Sequence, residues 1–204
     1  QKLEKYRDAV SEYNDDAEYP AEMGIAHFLA FADTDHVLAT KHNNDMSEWY
    51  TPKEYVDRVR QVLGDIDLDP ASCAFAQKTV KAKCYYDKKQ DGREQPWTGR
   101  VFLNPPYKTP LVSQFVNRLV DMVGSGDVTA AVLLTNNNTD TDWWQRAAGD
   151  AEAVCLTDGR IGFNDEHGET SAPTNGQSFC YYGKAADRFL KVFADVGLCL
   201  KVVT

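Results

Sequence analysis

The sequence predicts an α/β fold on a doubly wound, mostly parallel sheet, and three observations carry that expectation. Short apolar runs alternate with stretches whose apolar residues recur every three or four positions, the mixture produced when parallel strands are joined by crossover helices. One run, residues 128–134, is apolar almost throughout, as a strand covered on both faces has to be. Prolines, glycines and acids stand directly after the strand-like runs, at the strand ends where open α/β sheets bind ligands.

A chain of 204 residues, 43% hydrophobic and 26% charged, is long enough for one sizeable core and ordinary for a globular protein. It holds no bilayer-length apolar run and no charged-then-apolar leader, so a cytoplasmic protein without a membrane partner is expected. Five cysteines with no Cys-x-x-Cys pair suggest reduced, mostly buried thiols in place of a disulfide framework or zinc site. The net charge of −9 argues against a general nucleic-acid binder. Residues 1–46, with ten acids against four bases, account for −6 of it. Further on, Lys78, Lys81, Lys83, Lys88, Lys89 and Arg93 meet only Asp87 and Asp91 in their own stretch, which allows a local basic patch.

Residues 1–47 read as an N-terminal extension that is partly helical, over 3–13 and 21–31, with a polar connection over 33–45. Its His27, His36 and His42 lack ligand spacing, and no metal is expected. Residues 48–204 form the main domain. Thr51 is a helix N-cap residue type with Pro52 at the first helical position, and Tyr55, Val56, Val59, Val62 and Leu63 keep helical spacing until Gly64. Acids and aliphatics alternate over 65–69, predicting a strand, and Pro70 turns the chain into a helix over 71–78. A short strand over 83–86 and a turn at Asp91-Gly92 precede the apolar strand Val101-Phe102-Leu103. Helical spacing over 111–123 leads to the strand at 128–134, and a polar loop over 135–142 leads to Trp143-Trp144. Strands over 153–156, 179–182 and 198–203, with a helix over 184–193 between the last two, complete the pattern.

The chemistry concentrates at Asn104-Pro105-Pro106-Tyr107, where the strand 101–103 runs into a rigid loop. Proline fixes its own φ and keeps the residue before it extended, so Asn104 and Pro105 present oxygens outward. An amine on a nucleobase is a poor nucleophile because its lone pair is delocalised, and it needs acceptors for its two N–H groups. The Asn104 side-chain oxygen and the Pro105 carbonyl supply two, and Tyr107 offers a ring for a base flipped from its stack. That arrangement suits methylation of an amine. Asp69, at the C-terminal end of its strand, is placed to hold a cation.

Asn-Pro-Pro-Tyr at a strand end resembles the catalytic motif of S-adenosylmethionine-dependent amino-group methyltransferases. Trp49-Tyr50-Thr51-Pro52, then Leu68-Asp69-Pro70-Ala71, then Asp91-Gly92 and Trp97 before the tetrad, resemble in order the phage-type DNA N6-adenine methyltransferases. Thr-Asp-Trp-Trp at 141–144 and Gly-Arg-Ile-x-Phe at 159–163 are similar to further features of that family. The resemblance covers residues 48–196 and implies a single Rossmann-like class I methyltransferase domain. It implies S-adenosylmethionine as cofactor, held by Trp49, Tyr50, Thr51 and Pro52, by Asp67, Asp69, Pro70 and Ala71, by Asp91 near the adenine moiety, and by Asn104. Asn104, Pro105, Pro106 and Tyr107 are then catalytic, with adenine N6 of double-stranded DNA as substrate. One departure from the wider class is the absence of a glycine-rich first motif. Lys108, Asn136, Asn137, Asn138, Arg146 and Arg160 follow strands and are candidates for touching DNA. Cytosine N4, a protein glutamine, or a non-catalytic binding module are the other readings, and a monomer or homodimer is expected.

Overall fold

The computed structural model describes residues 50–165, 170 and 174–203. Of the two units into which the chain divides, residues 1–47 and 48–204, the description concerns the second. The expected helices over 3–13 and 21–31, the three N-terminal histidines and Trp49 lie outside the described residues.

In chain order the elements are α1 (Lys53–Leu63), β1 (Leu68–Asp69), α2 (Gln77–Val80), β2 (Cys84–Tyr85), a 3₁₀ turn (Gly92–Glu94), β3 (Gly99–Leu103), α3 (Leu111–Ser125), β4 (Val128–Asn136), α4 (Asp142–Gly149), β5 (Ala153–Thr157), β6 (Gln177–Tyr182), α5 (Ala186–Phe193) and β7 (Gly197–Lys201). The strands form one sheet in the order β2-β1-β3-β4-β6-β5-β7. β2, β1, β3 and β4 pair in parallel, β6 is antiparallel to β4 and β5, and β7 is antiparallel to β5, so five of the seven strands share one direction.

The sheet is covered on both faces, and strand alternation decides which residue meets which layer. Phe102, Val132, Leu134, Cys155, Phe179 and Tyr181 join Val56, Val59 and Val62 of α1 and Phe189 and Phe193 of α5 in one buried cluster. Their neighbours Val101, Leu103, Ala131, Leu133, Val154, Cys180 and Tyr182 join Phe115, Val116 and Leu119 of α3 and Ala147 of α4 in the other. A three-layer α/β/α domain results.

Several elements differ from the sequence expectation for physical reasons. Thr51 does not cap α1: no side chain does, and Pro52, at φ −57 and ψ 146, holds the cap position, its carbonyl taking the Tyr55 and Val56 N–H groups. The helix expected over 71–78 is reduced to Gln77–Val80, because the segment before it is drawn into turns whose polar groups bond the strand ends. The acid-aliphatic alternation of 65–69 yields only a two-residue strand, and the side chains of Asp65 and Asp67 are committed to ion pairs with Arg60, Lys83 and Arg100. Among the five free thiols only Cys155 and Cys180 are buried, and Cys84 is exposed on the outermost strand β2. The expected basic patch is thinner than its sequence, because Asp65 and Asp67 hold Lys83 and Asp91 holds Arg93. No helix among the described residues is long and apolar enough to cross a membrane.

Candidate active site

From β1 the chain moves outward to β2 and then returns to the other side of β1 to lay down β3. Such a reversal separates the loops leaving two neighbouring parallel strands and opens a crevice at their carboxyl ends. The two residues at that crevice are Asp69, which ends β1, and Asn104, which follows β3.

Asp69 is 3% exposed, and its carboxylate receives the Gln77 Nε2–H at 2.9 Å, with Ser72 and the Ala71 backbone as further donors. The same Gln77 nitrogen donates to Ser72 Oγ at 2.8 Å, while Gln77 Oε1 accepts the Ala82 N–H, so that amide is fixed at both ends. All of these partners are neutral. Burial pushes the Asp69 carboxyl up to about 6, and the three hydrogen bonds oppose that rise without cancelling it. A buried carboxylate beside neutral donors fits a cationic ligand, whose charge would supply what the protein lacks.

The tetrad is built around the Asn104 amide. Asn104 Nδ2 donates to Thr51 Oγ1 at 3.1 Å, and Oδ1 accepts the Tyr107 hydroxyl at 2.7 Å. Pro105 is buried, and its carbonyl takes no hydrogen bond from the described residues. Tyr107 is 37% exposed. Its hydroxyl is turned inward to Asn104, burial there raises its pKa, and its ring meets Phe163 edge-on with centroids 6.3 Å apart. Pro106 and Lys108 are exposed on the same loop.

The Tyr50–Pro52 segment lines the crevice from the other side. Tyr50 exchanges backbone hydrogen bonds with Asn164 at 2.7 and 3.2 Å, and its ring lies 4.7 Å from Phe75, in the turn that follows Pro70 and Ala71. Tyr50, Thr51 and the loop 161–164 are thereby joined. The Asp91 turn reaches the segment after β1 through Gly92, where a Cβ would stand 1.8 Å from the Pro70 carbonyl oxygen. Trp97, fully buried, donates its indole N–H to the Gly92 carbonyl at 2.7 Å and ties this turn to the core. The Asp91 carboxylate itself is held by Arg93 through its backbone N–H and its guanidinium, which keeps it below the usual carboxylate range.

Not every expected residue arrives at the crevice. Asp67 sits at the opposite end of β1, gripped by Arg100 at 2.7 Å and Lys83 at 2.8 Å, because the register Leu68 to Val101 sets it beside Arg100 at the start of β3. Arg146 is spent on Asn117 and Asp121 between α4 and α3. Asn136 ends β4 opposite Gln177, and Asn137 is tied to Gly176 by its backbone N–H, so this loop leaves β4 at the carboxyl edge. The Asn138 carbonyl takes the Thr141 hydroxyl at the start of α4, and Arg160 is exposed just before the Ile161–Asn164 segment. Sequence reasoning missed Ser72 and Gln77 as partners of Asp69, and Gln177, whose buried amide accepts the Ile161 N–H at 2.7 Å. Ser72 adjoins the Leu-Asp-Pro-Ala segment and could have been suspected, whereas Gln77 and Gln177 reach their partners only through turns that periodicity does not show.

Comparison with curated protein sequences finds no match. A family model described as DNA N-6-adenine-methyltransferase (Dam) matches residues 38–183, which takes in every strand and loop of the crevice described above. With well over half of its length matched, the chain belongs to the DNA N-6-adenine-methyltransferase (Dam) family.

Proposed function

We propose that the protein transfers a methyl group from S-adenosylmethionine to the N6 amine of an adenine turned out of DNA. The observation that carries this reading is the pairing of Asp69 and Asn104 at the carboxyl ends of two adjacent parallel strands, one residue suited to a cation and the other to an amine. In this reading Asp69 takes the ammonium of the cofactor, with Gln77 and Ser72 fixing the carboxylate. Tyr50, the backbone of Thr51, Pro52, Pro70, Ala71 and the Asp91 turn form the rest of its seat, the Thr51 hydroxyl being engaged by Asn104. Asp91, being ion-paired to Arg93, contributes its backbone and the shape of its turn more than a free charge. Bound there, the cofactor supplies a methyl group already activated by a sulfonium.

The remaining work is positioning. The second lone pair of Asn104 Oδ1 and the open Pro105 carbonyl take the two N6–H groups, and both bonds strengthen as positive charge develops on nitrogen. The exposed Tyr107 ring stacks on the base, with Phe163 behind it. Lys108, Asn136, Asn137, Asn138 and Arg160 then face the DNA from the rim. The deciding experiment is transfer of tritiated methyl from S-adenosylmethionine to unmethylated duplex DNA, followed by nucleoside analysis. N6-methyladenine is the expected product. N4-methylcytosine as sole product, or label found only in protein, would sink the assignment.

A further inference from the structure

Thr51 is 7% exposed, and its hydroxyl oxygen receives a hydrogen bond from the Asn104 amide across a sequence separation of 53 residues. The residue is held from both sides. Tyr50 before it is bonded twice to Asn164, and Pro52 after it starts α1, whose Val56 and Val59 are fully buried. Its hydroxyl caps no helix.

An asparagine amide presents an acceptor on one side and a donor on the other, and rotating it by half a turn exchanges them. The exchange matters here. With Oδ1 toward an incoming amine, the contact is acceptor to donor; with Nδ2 there, two donors oppose each other and the lone pair of the nucleophile is drawn into the wrong bond. Two neighbours set the choice. A phenol O–H is a stronger donor than an alcohol O–H, so the pair is satisfied best with Tyr107 donating to Oδ1 and Thr51 accepting from Nδ2, as observed.

We infer that Thr51 is a positioning residue for methyl transfer: its hydroxyl holds the Asn104 amide in the orientation that turns Oδ1 to the target amine. This rests on the proposed function and adds to it a role for Thr51 that is separable from contact with the cofactor. Thr51→Val keeps the shape of the side chain and removes the acceptor, whereas Thr51→Ser keeps it. The expected result in the 204-residue chain is a kcat for methyl transfer lowered about tenfold in Thr51→Val, the scale of one hydrogen bond, with the Kd for S-adenosylmethionine within about threefold of wild type. Thr51→Ser should recover most of the rate. In an Asn104→Ala background, Thr51→Val should change the rate no further, because the group it orients is gone.

A Thr51→Val protein that loses cofactor affinity in step with activity would overturn the inference and leave Thr51 a cofactor contact. So would equal losses in the wild-type and Asn104→Ala backgrounds, which would mark a general structural defect. If wild-type protein methylates no DNA adenine, the proposed function fails instead, and that outcome is seen before any variant is made.

Discussion

Asp69 ends β1 and Asp67 stands just before it, both acids in an alternating run, and they do opposite things. Asp69 is buried among neutral donors, and holding it ionised at neutral pH costs roughly 3 kcal/mol, from a carboxyl pushed from 3.8 to about 6. Its folded-state pKa lies above the unfolded value, so the folded protein holds this proton more tightly, and the stability it contributes is lost as pH rises from about 4 through 6. Asp67 is the reverse case. Arg100, then Lys83, hold its pKa well below the usual value, so its contribution is present above about pH 4 and lost on acidification. Asp69→Asn is therefore expected to raise the stability of the cofactor-free protein at pH 7 by about 1–3 kcal/mol while abolishing S-adenosylmethionine binding. Asp67→Asn should cost about 1 kcal/mol, discounted for partial exposure, and leave cofactor affinity unchanged. In wild type that affinity should fall about tenfold per pH unit below about pH 6, and urea unfolding with cofactor titration at pH 5 and 7 measures all of these. An Asp69→Asn protein that still binds the cofactor tightly would remove the carboxylate from the seat. Sequence could not separate the two acids, because the register of β1 against β3 is what sets Arg100 beside one of them.

At the scale of elements, the strongly periodic segments were legible and the short ones only in part. α1, α3 and β4 carry long apolar patterns, and structure and sequence agree on them within a residue or two. β2, at Cys84–Tyr85, falls inside the strand expected over 83–86, but β1 at two residues and α2 at four are too short for any period to fix their bounds, yet these pieces shape the side of the crevice proposed for the cofactor. What was readable there was local chemistry: Pro70 after an acid, Gly after Asp91, prolines after β3. The reading failed at Thr51, where a residue type favoured at helix starts spends its hydroxyl on Asn104 instead. The Asp91-Gly92 turn shows why such pieces are not interchangeable loops. Asp91 adopts the left-handed conformation at φ 49, Gly92 packs against the Pro70 carbonyl, and Trp97 clamps the turn from within the core. Gly92→Ala would drive a methyl group into backbone, which cannot swing aside as a side chain could. The expected outcome is a loss of about 1–3 kcal/mol in stability, together with weaker cofactor binding as the turn withdraws from Pro70. Denaturant midpoints and cofactor titration of this variant report both, and an unchanged affinity would detach the turn from the seat.

Among the described residues, two buried clusters flank the crevice-bearing sheet, with α1 and α5 on one face and α3 and α4 on the other. A sheet covered on both sides by its own helices has what a domain needs to fold alone. The net charge is unevenly divided, −6 of the −9 belonging to residues 1–46. A fragment spanning 48–204 is thus less acidic by about two thirds than the full chain, and repulsion of phosphate falls accordingly. We expect that fragment to unfold in one cooperative transition and to bind S-adenosylmethionine as tightly as the full chain, since every residue proposed for the seat lies within it. Its affinity for non-specific DNA should rise, most visibly at low salt, where charge is least screened. Calorimetry and DNA titrations at two salt concentrations test this. If the fragment keeps its cofactor affinity but loses methyl transfer, residues 1–47 act on the DNA side of the reaction; if it fails to fold, the division of the chain at residue 47 does not mark an independent domain.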